Sequence, residues 1–196
     1  MRLGVFLLLI ILFQQISAQS IKQDYDLFLW GNKIGNVKTE KRLLADTGIV
    51  YLLESNTKAK VLWINRSVYT RNLVEFRHGK IHSVDYNAIE DGKPWRWTKI
   101  SRHPEGYLVE SAAGKKLLRR LPFNCIATIY FHGMPSGTEM LDETGAGITS
   151  LTPKGPACVE YKGLDGSKNI FWYKNGRVEK AEFHMSIATV SMLPSP

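Results

Sequence analysis

Residues 165–184 read Asp-Gly-Ser-Lys-Asn-Ile-Phe-Trp-Tyr-Lys-Asn-Gly-Arg-Val-Glu-Lys-Ala-Glu-Phe-His. Two turn dipeptides, Asp165-Gly166 and Asn175-Gly176, bracket a run of aromatic and branched side chains. Glycine supplies the positive φ of a tight hairpin, and aromatic and β-branched residues fit a pleated surface. Beyond the second turn Ala181, Phe183, Met185 and Ile187 alternate with Lys180, Glu182, His184 and Ser186. A period of two puts one set on each face of a strand. This stretch therefore predicts a β-hairpin with one apolar face.

The same grammar runs outward along the chain. Gly31-Asn32, Thr47-Gly48, His78-Gly79, Asp91-Gly92 and Glu105-Gly106 are further turn signals. Between them, Tyr25, Leu27 and Leu29 share a face, as do Ile49, Tyr51 and Leu53. Ala157, Val159 and Tyr161 alternate with Cys158, Glu160 and Lys162. Helical spacing is scarce. A short helix is predicted over 136–143, where Ser136 and Glu139 have capping-box spacing, and another over Lys115–Leu121 before Pro122. The segment from Cys125 to Phe131 reads as an apolar strand. About ten to twelve strands are expected, and open twisted sheets seldom exceed about ten without curling. The fold class is thus mainly β: an antiparallel up-and-down meander forming a strongly curved sheet or incomplete barrel, with one or two short helices.

The N-terminus sets the expected compartment. Arg2 precedes an apolar run from Leu3 to Phe13, and Ile16-Ser17-Ala18 ends on a small residue. That is the layout of a secretory signal peptide cleaved near Ala18, and the run is too short to span a bilayer, which takes about 20 residues. Residues 1–18 are read as signal peptide and 19–196 as a single β domain, periplasmic or secreted and not membrane-spanning. With 44% apolar residues and 22% charged, the chain is neither disordered nor fibrous. Cys125 and Cys158 are its two cysteines. In an oxidising compartment they are a candidate disulfide; the alternative is two buried thiols.

These residues also carry a resemblance. Tyr25-x-Leu27-x-Leu29 with Ile34-Gly35, Leu73 to Ile81, Tyr130-Phe131-His132-Gly133-Met134-Pro135, Asp142-Glu143-x-Gly145 and the 165–176 hairpin are together similar to exported β-sheet domains of unknown function from Gram-negative bacteria. More distantly the meander resembles lipocalin-like and lipoprotein-carrier half-barrels, whose cavities hold acyl chains. The family supplies no established activity or catalytic residues to carry over.

Candidate chemistry is sparse. His78 and His82 flank a turn rather than share a helix face, and no metal site is expected; no cofactor is expected either. Cys125 with His132 lacks a nucleophile motif. Glu139, Asp142 and Glu143 form an acidic cluster of the kind a hydrolase uses, but as sequence neighbours on a turn or short helix they are well explained by side-chain capping and the helix dipole. Of Trp30, Trp63, Trp95, Trp97 and Trp172, the adjacent Trp95 and Trp97 best fit a ligand platform. Lys115, Lys116, Arg119 and Arg120 concentrate part of a net charge of +8 and suit an anionic partner. Nucleic acid is not expected of an exported chain. The leading expectation is a non-catalytic periplasmic binding or carrier module for an apolar or lipid-like ligand. The alternatives are an envelope assembly partner that binds another envelope protein and, behind it, a carbohydrate-active hydrolase.

Overall fold

A computed structural model describes residues 19–45, 47–61, 64–185 and 188–196. The expected signal peptide, together with Trp63, Ser186 and Ile187, lies outside these. Among the described residues one antiparallel sheet holds fourteen strands and curls without closing. The first eight form a meander: β1 (Ser20–Leu29), β2 (Asn32–Leu43), β3 (Ile49–Val61), β4 (Ile64–Arg77), β5 (Lys80–Glu90), β6 (Lys93–His103), β7 (Gly106–Ser111) and β8 (Gly114–Leu118). A single short helix, α1 (Ile126–Ile129), follows. A second meander then runs through β9 (Glu139–Asp142), β10 (Gly147–Gly155), β11 (Cys158–Lys162), β12 (Lys168–Lys174), β13 (Arg177–His184) and β14 (Thr189–Pro194).

The two meanders join through the ends of the domain. β1 pairs with β14, Tyr25 opposite Pro194 and Leu29 opposite Val190. The free edges are therefore β8 and β9, which are neighbours in sequence but lie at opposite ends of the sheet order. The connection between them, with α1, packs against β3, β4 and β9. It plugs the inside of the curl, where Ala127, Thr128 and Ile129 are buried. Asn124 carries its carbonyl to the Leu141 amide (2.8 Å), covering one side of β9. Arg120 reaches Glu139 through two hydrogen bonds of 2.7 and 3.0 Å.

Alternation holds where it is clearest. Tyr25, Leu27 and Leu29 are buried, as are Phe171 and Tyr173. On β4, Val74 and Phe76 face the core between exposed or half-buried neighbours. Gly35 marks a close crossing: a Cβ there would lie 2.1 Å from the Asn56 carbonyl oxygen, so β2 can approach β3 only without a side chain at that point.

Three local expectations are corrected. Residues 139–142 are a strand, not a helix, because Met140 and Leu141 are both buried and Glu139 reaches out to Arg120 rather than back to Ser136. Residues 114–118 are also a strand, since Gly114, at φ 117°, turns the chain back so that it pairs with Ser111 and continues along β7. The apolar segment after Cys125 is helical. Cys125 is extended (φ −146°, ψ 167°), its amide donates to Thr128 Oγ1 at 2.9 Å, and that hydroxyl donates to the Cys125 carbonyl at 3.0 Å. A side chain three residues on closes the turn, a contact that apolarity alone does not signal.

Candidate functional site

The inner face of the curl leaves an apolar cavity of about 380 Å³ between the sheet and α1. Leu27, Val37, Leu53, Val68, Tyr130 and Val190 supply much of its wall. They arrive there because each occupies the inward position of its strand, or, for Tyr130, the end of the plug. Trp95 (47% exposed) and Met185 (53% exposed) also line it, so the cavity opens to solvent where they stand. A larger, polar cleft of about 620 Å³, bordered by Lys22, Lys174 and Arg177, lies on the surface and has no comparable apolar wall.

One end of the cavity is polar. Asn72 is an inward residue of β4, between Thr70 and Val74, and is 5% exposed. Its Nδ2 donates to Glu143 Oε1 at 3.0 Å. Its Oδ1 is buried and has no donor. Glu143 starts the turn after β9 and is completely buried. Besides Asn72, the backbone amides of Ile126 (2.9 Å, to Oε2) and Ala127 (3.2 Å, to Oε1) donate to it. The carboxyl group thus satisfies the first amides of α1, donors that a helix leaves unpaired. Burial pushes its pKa up to about 7, against the Asn72 side chain and the backbone amides of Ile126, Glu143 and Ala127 that hold it down.

Neighbouring Asp142 is buried too, with other partners. Thr144 Oγ1 and the Gly145 amide donate to Oδ1 (2.6 and 2.9 Å), and the Leu164 amide to Oδ2 (2.9 Å). Glu139 stays outside with Arg120. The acidic cluster therefore serves three separate places, and its two buried members are occupied by backbone donors. Among the described residues no three His, Cys, Asp or Glu side chains gather as a metal site.

The remaining sequence candidates disperse. Trp95 lines the cavity, whereas Trp97 (39% exposed) borders a separate recess. A β-bulge causes this: Ala88 pairs with Arg96 and Ile89 with Pro94, leaving Trp95 unopposed. Arg96 stacks on the Trp95 ring, 4.4 Å from its centroid. Lys115 and Lys116 lie exposed on β8, with Lys115 paired to Glu110, and Arg119 is exposed beside Arg120. His78 occupies the β4–β5 turn at φ 50°.

Cys125 and Cys158 are both free thiols, at the start of α1 and on β11, and no disulfide joins them. Burial raises the Cys125 thiol pKa strongly and the nearby Glu143 adds to it, which disfavours the thiolate. We expect a thiol reagent to label one cysteine, Cys158, in the native protein and both after denaturation. Mass spectrometry of the labelled chain reads this directly, and rapid native labelling of Cys125 would show that the plug opens. His132 meets the buried Tyr51 hydroxyl through Nε2 at 2.5 Å. Burial, aided by Lys41, lowers its pKa.

A model of a domain of unknown function (DUF6134) matches residues 25–195. The chain belongs to that family. The matched span takes in the sheet from β1 through β14, the plug and the cavity. A solved structure is similar to this DUF6134 domain: the beta-barrel-like protein of domain of unknown function DUF1849 from Brucella abortus. It shares 12% identity, with 91% of this chain and 96% of that chain covered and a TM-score of 0.59. At that identity the likeness concerns the fold. No curated protein matches the sequence.

Sequence reasoning passed over Asn72 and the cavity end it forms. The available signal was a lone amide at an inward position of an apolar strand face.

Proposed function

We propose that this DUF6134 domain is an exported, non-catalytic binding module that carries an apolar or lipid-like ligand. The cavity supports the reading most: about 380 Å³ of space bounded mainly by aliphatic and aromatic side chains lies within the range of about 300–1,000 Å³ usual for small-molecule sites. A solvent-filled apolar space is unfavourable, and a ligand chain would replace that water. The signal-like N-terminus supports export. If that reading holds, the exported protein begins near Gln19; an intact Met1 would contradict it.

Binding is tested with the neutral fluorophore N-phenylnaphthylamine. We expect saturable fluorescence enhancement with the native domain. Thr70 is a half-buried cavity residue on β4, so Thr70→Trp should fill the space and weaken binding at least about tenfold while the fold persists. Equal binding by the variant would place the fluorophore elsewhere. An assembly role is the second reading. It draws on β8, a free edge whose residues Gly114–Leu117 are exposed and which a partner strand could extend.

A further inference from the structure

We infer that the end of the curl at which the cavity opens docks on an anionic lipid bilayer, its exposed tryptophans entering the interface and its lysines meeting the headgroups. In an up-and-down meander alternate turns share one end of the sheet, and the pairing of Leu29 with Val190 aligns the two meanders. The turns after β1, β5, β11 and β13 therefore lie on one rim. Trp30, Trp95, Leu164 and Met185 stand in these turns or just beyond them, and all four are exposed. Trp95 and Met185 also line the cavity, so this rim is its mouth. Trp30 is the plainest case. It is 64% exposed and sits at φ 52°, followed by Gly31 at φ 79°. Such a turn favours Asn, Asp or Gly, and a bulky side chain there is strained. Backbone strain and an indole left in water are two costs that the fold itself does not require.

Charge selects the partner. The pairing of β2 with β3 ends at Gly35 opposite Thr57, and that of β4 with β5 at Val68 opposite Glu90. The β3–β4 ladder continues beyond both, from Lys58 opposite Ser67 to Val61 opposite Ile64. This ribbon projects from the same rim and carries the exposed Lys58 and Lys60. Carboxylates at these turns are matched: Glu90 and Asp91 by Arg66 (3.1 and 3.0 Å), and Asp165 by Arg96 (3.4 Å). Lys58, Lys60 and Lys93 have no carboxylate partner among the described residues. The rim thus combines amphipathic indoles with surplus cations. Indoles settle at the headgroup level of a bilayer, and anionic lipid attracts each lysine. The apolar residues are set on separate hairpins, and a deformable bilayer receives such separated tips together. Docking would hold the cavity mouth against the bilayer, where on the carrier reading an apolar ligand enters; the docking itself does not require that reading.

The test is co-sedimentation of the domain from Gln19 onward with vesicles of phosphatidylcholine, alone or mixed equally with phosphatidylglycerol. Starting at Gln19 omits the apolar run from Leu3 to Phe13, which would enter a bilayer by itself, and retains every described strand. Binding should require the anionic lipid and fall as salt is added. Trp30→Asn should weaken it about tenfold, the effect of leaving one large apolar side chain out of the interface. The same variant should lose no thermal stability, because Asn accepts the left-handed turn. Lys58→Gln combined with Lys60→Gln should weaken binding at least about tenfold. Ile21→Thr, which removes exposed apolar surface at the opposite end of β1, should leave it unchanged. Absence of sedimentation with the anionic vesicles overturns the inference, as does an equal loss for Ile21→Thr and Trp30→Asn. Self-association that Trp30→Asn abolishes, without sedimentation, would give the rim to a second copy of the chain and overturn it also. Binding of N-phenylnaphthylamine without vesicles, which Trp30→Asn should not alter, reports on the carrier reading separately.

Discussion

Glu143→Ala should lower the stability of the domain by about 3–5 kcal/mol, read as a shift in urea midpoint. The loss comes from what stays behind. The amides of Ile126 and Ala127 and Nδ2 of Asn72 would remain in a dry interior with nothing to accept their hydrogens. The first turn of α1 would lose its anchor, and with it the plug that separates the cavity from β9. The same group makes stability depend on pH. Its folded pKa, near 7, exceeds the ordinary value of 4.5. The folded state therefore holds the proton more tightly than the unfolded one. Its contribution is complete below about pH 4.5 and is lost as pH rises through about 7, by about 3 kcal/mol in all. His132, whose pKa is lowered, acts in the opposite sense at mildly acid pH. The comparison that isolates Glu143 is thus native against Glu143→Gln. The gap between them should change by about 2.5 kcal/mol from pH 5 to pH 8. A gap that is constant with pH would mean that the carboxyl group titrates normally.

Tyr51→Ala is expected to cost a similar amount, about 3–5 kcal/mol. Tyr51 is wholly buried near the start of β3. Its ring packs edge-on against Phe76 (5.4 Å between centroids) and is tilted against Phe131 and His132 (5.6 and 5.7 Å). Phe76 and His132 in turn flank Phe123. These contacts fasten the connection between the meanders to the sheet, so the truncation opens a void and frees the plug together. Tyr51→Phe keeps the ring and removes only the bond to His132, for a loss of about 1 kcal/mol. Thermal unfolding of the pair distinguishes packing from hydrogen bonding. Equal losses would show that the hydroxyl, not the ring, carries the contact.

Strand identity was legible because it rests on local physics. Gly79, Gly92 and Gly176 all adopt positive φ at hairpins, as their turn dipeptides require. The strand number exceeds the expected ten to twelve because several junctions carry no such signal. β3 ends at Val61 and β4 begins at Ile64, and β10 passes to β11 at Pro156-Ala157. The short edge strands β8 and β9 looked helical because their charges and apolar pairs fit either period over so few residues. The site was less legible. Trp95 and Trp97 look alike in sequence, and the bulge that separates them depends on the pairing with β5. The acidic cluster reads as one unit, yet its members reach Arg120, Leu164 and α1. Asn72 and Glu143 are 71 residues apart, a pairing that exists only once the sheet has curled around the plug.

The most direct test is methyl NMR of the domain titrated with a long-chain alcohol. The account predicts saturable shifts of the methyl groups of Val37, Leu53, Val68, Ile126 and Val190, which line the cavity from five different elements or connections. The exposed methyls of Leu117 on β8 should stay in place. Shifts confined to the outer surface, or none at ligand saturation, would contradict it.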